Sequence, residues 1–310
     1  MISLLCNNNH PSVSNMFLNF LPLLNIFQLK TPMHMNEKMP PLSIGGQRTK
    51  TRKSISVLRP IRVLYAALFL SGFCLLFTFC GKNETESLPD LAKEYYPLQI
   101  GKTLIYNIDT ILYDPQPGGL VKIDTFRWQV KEVFKDTFKD LLGLVTYRIE
   151  RSERALGDTR DFVIKKIFTA ALTDNEAVRT EDNLKFIKFP RYFGEKTIWD
   201  GNVYCDQSLI IEVAGERMGL FSKKWNYEVL TYAKAEKIGT KDFTDILTVR
   251  AQSDTRILTE RRYNLEKYAK GVGLVYKEQH ILDTQKLDAS IAWEKKAEKG
   301  YIVKQTIVSF

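Results

Sequence analysis

The feature that most constrains this chain is an uncharged run of eighteen residues from Val63 to Cys80. Its length lies at the lower limit for a helix that spans a bilayer, and it also suits the apolar core of a signal peptide. Arg59 and Arg62 precede the run, and a polar segment that begins at Gly81 follows it. Positive charge before an apolar core is typical of a segment that directs translocation. The pattern therefore predicts that the residues after Cys80 fold outside the cytoplasm, tied to a membrane.

The positive charge of the chain is concentrated in its first part. The formal net charge is +9, but residues 1–80 hold eight Lys or Arg side chains and a single acid. Residues 81–310 are nearly balanced, with 37 basic and 35 acidic side chains. A protein that binds nucleic acid needs a basic surface on its folded domain. The composition therefore predicts that nucleic acid is not a partner.

Residues 1–62 form a leader that we expect not to fold. Its apolar stretch from Met16 to Leu29 is interrupted by Asn, Pro and Gln, so no helical face is sustained. A bacterial signal rarely needs about 60 residues before its apolar core. Two explanations stay open. Translation starts near Met39 or later, or the leader is a disordered cytoplasmic tail with a basic cluster at residues 48–53.

The end of the apolar run resembles the signals of bacterial lipoproteins. Those signals combine a basic region, an apolar run, a cysteine, a small residue and a polar spacer, as residues 63–80 and their flanks do. The resemblance implies that Cys80 accepts diacylglycerol as a thiolate and that the signal peptidase cuts just before it. Phe77 and Phe79 depart from the family pattern, which favours Leu at the first of these places and Gly, Ala or Ser at the second. An uncleaved single-span anchor and a cleaved soluble protein therefore stay as alternatives.

Residues 81–94 are predicted to form a polar tether, because the segment Gly81–Pro89 has no apolar period. Cys6 and Cys74 would leave with the leader and Cys80 would carry lipid, so Cys205 would be the remaining free thiol. A domain of about 220 residues can bury enough surface without disulfides. We interpret Cys205 as a buried small apolar side chain, with a reactive thiol as the alternative.

From residue 95 onward, apolar and polar side chains alternate over many short stretches. In the clearest stretch, Leu104, Tyr106, Ile108 and Leu112 would share one face of a half-buried strand. Similar stretches lie at residues 126–131, 145–150, 161–172, 184–189, 225–238, 247–252, 272–276 and 302–308. Strands spaced in this way predict one antiparallel, mainly β domain over residues 95–310, either a strongly curved, half-barrel-like sheet or a sandwich.

A few segments suit turns or short helices instead. Asp114–Gly119 contains two prolines and two glycines, which predicts a turn, and the Asp200-Gly201 pair is typical of a hairpin. We expect short helices at Asp90–Glu94, Phe134–Leu142 and Ile257–Tyr268.

Two motifs resemble those of uncharacterised lipoproteins from Bacteroidota. Tyr95–Gly101, which precedes a strand at Thr103–Tyr106, is similar to their opening Tyr-hydrophobic-Pro-Leu-x-x-Gly signature. Tyr268–Val275 contains their Gly-Val-Gly-Leu-Val strand. The resemblance spans most of residues 80–280 and implies a curved antiparallel sheet without an assigned activity. It supplies no catalytic residues.

Several kinds of chemistry are excluded by residue content. The domain has a single histidine, His280, so a zinc site with two histidines cannot form there, and we predict no metal and no cofactor. The nucleophile elbow of α/β-hydrolases and the phosphate-binding loop are both missing from the sequence. We expect His280 to be a surface side chain, and we expect the charged stretches Arg261-Arg262 and Glu294–Lys296 to be solvated.

Two functional hypotheses remain. The first is a non-catalytic lipoprotein of the cell envelope, placed at the outer membrane, that binds a ligand in a sheet concavity or serves as an accessory subunit. Its partners would be the membrane, through the lipid anchor, and a small molecule, a glycan or an envelope protein. The alternative is a carboxylate-dependent hydrolase of an envelope or extracellular glycan. Its candidate acids and neighbouring aromatic side chains are Asp200, Asp206, Glu212, Trp199 and Tyr204.

Overall fold

The structure is a computed structural model, and it describes residues 89–222 and 225–310. The predicted leader, the apolar run and most of the tether lie outside the described residues. The lipid-attachment site at Cys80 lies outside them as well and stays a prediction. The part of the chain that the structure describes contains no helix long and apolar enough to cross a membrane.

The described residues form fourteen β-strands and two short α-helices. The helices are α1 (Leu91–Tyr95) and α2 (Trp293–Lys296). The strands are β1 (Thr103–Gln116), β2 (Leu120–Lys139), β3 (Val145–Ala155), β4 (Val163–Leu172), β5 (Glu176–Glu181), β6 (Leu184–Pro190), β7 (Ile198–Trp199), β8 (Ile210–Val213), β9 (Glu216–Gly219), β10 (Asn226–Ile238), β11 (Lys241–Gln252), β12 (Glu260–Ala269), β13 (Gly273–Asp283) and β14 (Lys299–Ser309). The prediction of a mainly β domain is confirmed.

Twelve strands build one antiparallel sheet in the order β6-β5-β4-β3-β2-β1-β14-β13-β12-β11-β10-β7, and β8 and β9 form a separate hairpin. The two edges of the large sheet approach each other. The backbone N–H of Ile187 in β6 donates to the carbonyl of Gly201 at 2.9 Å. The indole N–H of Trp199 in β7 donates to the carbonyl of Ile187 at 3.0 Å. The sheet is therefore curved until it nearly closes, which confirms the curved sheet and not the sandwich.

The hollow of this sheet holds the main core. In β1, Leu104, Tyr106 and Ile108 are buried and alternate with half-buried neighbours, as the sequence predicts. Phe189 of β6 packs edge-on against Tyr268 of β12 with ring centroids 5.1 Å apart. These two strands stand far apart in the strand order, so their side chains meet across the hollow.

A β-bulge in β6 brings the side chain of Lys188 into the hollow. In the pairing of β5 with β6, Ala177 lies opposite Phe189 and Val178 lies opposite Ile187, so Lys188 is an extra residue. A bulge changes the direction of a side chain without ending the strand. Lys188 is accordingly buried, next to the equally buried Phe189.

Two of the three predicted helices are wrong. Residues 134–139 continue β2, where Phe134 pairs with Ile149 of β3, and a turn follows. Most of Ile257–Tyr268 is β12, in which Arg262, Asn264 and Glu266 alternate with less buried residues. Both segments contain many charged side chains that suit an amphipathic helix, but long-range pairing with neighbouring strands outweighs local preference.

The predicted helix at Asp90–Glu94 is confirmed as α1. Asp90 caps it, because its carboxylate accepts the backbone N–H of Lys93 at 3.1 Å. Ala92 is fully buried, and its N–H donates to the carbonyl of Arg191 at 3.2 Å. Folded structure therefore starts before residue 95, inside the segment that we assigned to the tether.

Glycines with positive φ shape the backbone in the two motif segments. Gly101 has a φ of +84°, and its N–H donates to the carbonyl of Phe134 at 2.8 Å, which fixes the turn before β1. Gly273 has a φ of +96° where β13 begins. Directly after it, a register shift leaves Val275 as the extra residue of a second bulge.

Candidate functional site

The acids named for the hydrolase hypothesis are exposed and locally engaged. Asp200 accepts the backbone N–H of Asn202 at 2.9 Å. Asp206 accepts the N–H and the hydroxyl of Ser208 at 2.8 and 2.7 Å. Glu212 is an exposed residue of β8. The first two are turn-forming interactions, and no hydrogen bond or ion pair between described residues joins the three acids.

The aromatic neighbours of these acids also have other roles. Trp199 closes the sheet through its hydrogen bond to β6. The hydroxyl of Tyr204 donates to Glu176 at 3.2 Å, and the ammonium of Lys185 lies 4.3 Å from the centre of its ring. These contacts account for the aromatic residues around the turn without a sugar.

The hollow of the sheet contains a different set of charges, which sequence reasoning missed. We call Glu132, Arg151, Arg179 and Glu181 the structural cluster. Glu132 in β2 is 1% exposed. Its Oε1 lies 2.7 Å from a guanidinium nitrogen of Arg151 and 2.7 Å from one of Arg179, and Arg179 also bonds Glu181. Glu132 comes from β2, Arg151 from β3, and Arg179 and Glu181 from β5, so the cluster links these three strands on their inner face.

A second set of charges lies beside a cavity. We call Lys188, Glu266 and Lys277 the cavity cluster. The ammonium of Lys188 lies 2.7 Å from Oε1 of Glu266, whose other oxygen accepts the hydroxyl of Tyr268. The ammonium of Lys277 lies 3.5 Å from Glu181 and 3.9 Å from Glu266. Lys277 is therefore held at longer distances than the other interior cations.

The carboxyls of the hollow are kept ionised. Burial by itself would raise their pKa values, but the neighbouring cations outweigh it. The pKa of Glu181 lies well below its ordinary value, with Lys277 and Arg179 as the main opposing charges. The pKa values of Glu132 and Glu266 are lowered in the same way, by Arg179 and Arg151 and by Lys188 and Lys277 respectively.

The two clusters together carry an excess of positive charge. Three carboxylates face four cations, and the fourth cation is the loosely held Lys277. An additional anion beside Lys277 would balance the charge of the hollow.

The cavity itself has a volume of about 150 Å³. It is lined by the ion pair of Lys188 and Glu266, by Lys277, by the acids Glu181 and Asp182, and by aromatic side chains from the loop before β10 and from the sheet. The aromatic lining residues are Phe186, Phe221, Trp225, Tyr227 and Tyr301. A pocket with apolar walls and a few converging polar groups is the usual form of a small-molecule site.

Two polar atoms in the cavity wall have no hydrogen-bond partner among the described residues. They are the indole nitrogen Nε1 of Trp225 and the amide oxygen Oδ1 of Asn264. Their residues are only 5% and 4% exposed. Buried donors and acceptors are nearly always satisfied, because an unsatisfied one costs about 1–3 kcal/mol. Two residues of the cavity wall thus each carry one unsatisfied buried polar atom, and the loosely held Lys277 lines the same cavity.

Three charged residues that we expected to be solvated are buried, and these predictions are wrong. His280 is 3% exposed and lies between Glu278, 2.9 Å from its Nε2, and Arg261, 3.2 Å from its Nδ1. Arg262, at 1% exposure, donates to the carbonyls of Gly219 and Leu282 at 2.9 and 2.8 Å.

Lys296 is the third of these residues. It is 2% exposed, and its ammonium lies 3.2 Å from the carbonyl of Leu258. Neighbours far away in the sequence supply these contacts, so charge runs alone could not reveal them. Among the described residues, no group of three His, Cys, Asp or Glu side chains could hold a metal ion.

Cys205 is buried, as predicted. Its thiol is 3.3 Å from the carbonyl of Lys185, to which it donates. Burial raises the pKa of the thiol to about 11, with a smaller contribution from the charge of Asp200. The thiolate that reactive cysteines need is therefore disfavoured, which argues against the alternative of a reactive thiol.

No family model matches this chain. No curated protein matches it either. Among solved structures, a Bacteroides fragilis protein of YmcC-like fold, inferred to be exported, has a TM-score of 0.33 and 12% sequence identity over 70% of this chain and 99% of its own. A Parabacteroides distasonis protein, inferred to be a lipoprotein, has a TM-score of 0.30 and 14% identity over 69% of this chain and 98% of its own. Likeness at these values assigns neither a family nor a function to this chain.

Proposed function

We propose that this protein is a non-catalytic lipoprotein of the cell envelope that binds a small organic anion in the hollow of its sheet. The observation that carries the binding proposal is that two residues lining one cavity carry unpartnered buried atoms, Trp225 Nε1 and Asn264 Oδ1. Lys277 adds the charge preference, because it is the interior cation with the longest contacts. Its ammonium would attract a carboxylate, while the aromatic wall would contact the organic part.

The size of the cavity limits the ligand. Its volume of about 150 Å³ lies below the roughly 300–1,000 Å³ of most ligand pockets. A compact acid with a single ring or a short chain fits this space, whereas an oligosaccharide does not. The proposal therefore selects a small molecule from the partners that the sequence left open.

The charges of the hollow support binding rather than hydrolysis. A glycosidase of the usual kind needs one carboxyl that stays protonated to act as general acid. Glu132, Glu181 and Glu266 all have lowered pKa values and adjacent cations. No observation favours the hydrolase alternative, so we propose that the protein is not an enzyme.

The membrane anchor is proposed from the sequence. The uncharged run Val63–Cys80, the basic residues before it and the small residue after it support lipid attachment at Cys80. The mass of the N-terminal peptide from protein in the native membrane fraction tests this part. We expect a peptide that begins at Cys80 and carries acyl chains, whereas a peptide that continues upstream of Val63 would refute it.

The binding proposal is tested with benzoate and with its neutral analogue benzamide as probes. We expect benzoate to raise the melting temperature of the full-length protein and benzamide to raise it much less, because only the acid pairs with Lys277. The variant Lys277→Met should lose the benzoate effect. Lys304→Met is the matched control, because Lys304 pairs with Glu278, outside the cavity lining.

Two results would contradict the binding proposal. Equal effects of benzoate and benzamide would show that charge does not select the ligand. An unchanged benzoate effect in Lys277→Met would place the bound anion outside this cavity. A wider panel of small aliphatic and aromatic acids, each with its amide, extends the test beyond one probe.

A further inference from the structure

We propose that the turn between β2 and β3 inserts into the surface of the membrane to which the lipid anchor attaches, at the boundary between headgroups and acyl chains. We call Asp140–Leu144 the membrane turn. Leu141 and Leu142 at its tip are 105% and 93% exposed, the two highest values among the large apolar side chains described. This inference rests on the proposed lipid anchor, and it adds a second contact with the membrane.

The shape of the turn is held by polar contacts and not by its leucines. The carboxylate of Asp140 accepts the backbone N–H groups of Leu142 and Leu144, both at 2.9 Å. Backbone hydrogen bonds also join Asp140 to Leu144 at 3.0 Å and to Gly143 at 2.9 Å. A defined turn thus presents two adjacent leucines to the surroundings, and neither side chain is needed to form it.

The turn lies at the end of the sheet where the described chain begins. Arg191 lies 2.7 Å from Asp90, and it also donates to the carbonyl of Thr173 at 3.1 Å. Thr173 follows directly after β4, and Ala170 near the end of β4 pairs with Tyr147 near the start of β3. The first described residues, the β4–β5 turn and the membrane turn therefore share one end of the sheet.

The distance to the anchor is short. Eight residues lie between Cys80 and Pro89, and the nine Cα–Cα steps that join the two span at most about 30 Å in an extended chain. An anchor at Cys80 would therefore keep this end of the sheet close to the bilayer. The opposite end, with the turn at Pro117–Gly119, would point away from it.

Other side chains at the same end suit a lipid surface. Ile100 is 55% exposed in the turn before β1, whose Gly101 is hydrogen-bonded to Phe134 of β2. Lys135 and Lys139 are exposed in the last part of β2, next to the membrane turn. Apolar tips flanked by lysines are typical of segments that enter the boundary between headgroups and acyl chains, where anionic lipids attract the cations.

A protein partner explains this surface less well. Stable protein interfaces bury more than about 1,000 Å² in total, and two leucines on a projecting turn offer a small fraction of that area. A bilayer needs only a few apolar side chains when a lipid anchor already supplies most of the attachment.

The test uses full-length protein reconstituted in vesicles of phosphatidylethanolamine and phosphatidylglycerol, some of whose lipids carry a nitroxide just below the headgroup. An NBD fluorophore is attached to the variant Leu142→Cys. Leu287→Cys is the matched control, because Leu287 is 65% exposed in the loop between β13 and β14, at the opposite end of the sheet. The unsubstituted lipidated protein, labelled in parallel, gives the background from Cys205, the free thiol that remains once the leader is removed and Cys80 carries lipid.

We expect the nitroxide lipids to quench the label at position 142 at least about twofold and the label at position 287 hardly at all. Equal, weak quenching at both positions in vesicle-bound protein would refute the insertion of the membrane turn, while the proposal of a lipid anchor would stand. A blue-shifted but unquenched label at position 142 would assign the turn to a contact between protein chains, which also overturns the proposal. Protein that does not float with the vesicles would refute the anchor and the membrane turn together.

Discussion

The structural cluster and the cavity cluster lie in the same hollow, yet they differ in how their charges are satisfied. Oε1 of Glu132 meets two guanidinium groups at 2.7 Å, its Oε2 has no hydrogen-bond partner among the described residues, and Glu132 does not line the cavity. Lys277 approaches its carboxylates only to 3.5 and 3.9 Å, beside two unpartnered buried atoms. Similar residue types thus serve two purposes. Short, reciprocal contacts stabilise the fold, whereas long contacts next to a cavity leave room for a ligand.

The largest effect is expected from breaking the structural cluster. Arg179→Met removes a cation that is 5% exposed and leaves Glu132 and Glu181 with fewer partners. We expect the free energy of unfolding, measured by urea denaturation, to fall by about 3–5 kcal/mol. Arg127→Met is the control, because the exposed pair of Arg127 and Asp109 should contribute less than about 1 kcal/mol. Equal losses in the two variants would remove the distinction between structural and surface ion pairs.

Acid should act on both clusters and on Glu278, because the pKa values of Glu132, Glu181, Glu266 and Glu278 are all lowered in the folded protein. In the folded protein the pKa of Glu181 lies well below the ordinary value of 4.5. Hydrogen bonds from His280 and Tyr276 lower the pKa of Glu278, on β13, to about 2. The unfolded chain therefore takes up protons first as the pH falls below 4.5, and the free energy of unfolding should decrease steadily from there towards pH 2.

Urea denaturation at a series of pH values measures this decrease. Glu278→Gln should give a shallower slope, because one of the carboxyls with a lowered pKa is then missing. A free energy of unfolding that stays constant between pH 5 and pH 3 would contradict the ionised state that we assign to these carboxyls.

A smaller effect of opposite sign is expected in the cavity wall. Asn264→Leu replaces an unpartnered buried acceptor by an apolar side chain, next to a cavity that can accept its volume. We expect the free energy of unfolding to rise by about 1 kcal/mol, while benzoate no longer raises the melting temperature. Gln129→Leu serves as the comparison, because Gln129 is hydrogen-bonded to Asn107 at 3.0 Å and should lose stability. A clear loss of stability in Asn264→Leu would mean that the amide is already satisfied.

The smallest change in stability is expected for Lys277→Met. Its contacts with Glu181 and Glu266 are long, and both carboxylates keep a closer cation, Arg179 and Lys188 respectively. We expect the free energy of unfolding to change by less than about 1 kcal/mol, although the benzoate effect disappears. Calorimetric titration of the variant and of the parent protein with benzoate measures the loss of benzoate binding directly. If Lys277→Met lost as much free energy of unfolding as Arg179→Met, both clusters would serve to stabilise the fold.

The sheet was readable from the sequence because alternation with period two is a local signal. Leu104, Tyr106 and Ile108 mark the buried face of β1 without any knowledge of its neighbours. The predicted helices at residues 134–142 and 257–268 were wrong because strand pairing, which is not local, decides those segments.

The candidate site could not be predicted from the sequence for the same reason. Its charged residues come from β5, β6, β12 and β13, and only the closure of the sheet brings them together. One local signal did exist, because Glu132 interrupts the apolar face of β2 between Val130 and Phe134. Lys188 gave no such signal, since a bulge and not the alternation turns it inward.

The closure of the sheet also affects whether copies of this protein on the same membrane associate through their sheet edges. A sheet edge with free N–H and carbonyl groups is a template for pairing with another chain. Here Ile187 on the β6 edge uses both backbone groups towards the segment at residues 199–201, and the opposite edge strand, β7, has only two residues. The seam that completes the fold thereby covers β6 at Ile187 and β10 from Tyr227 to Val229. Copies held side by side on one membrane would then have less exposed backbone at the seam through which to polymerise.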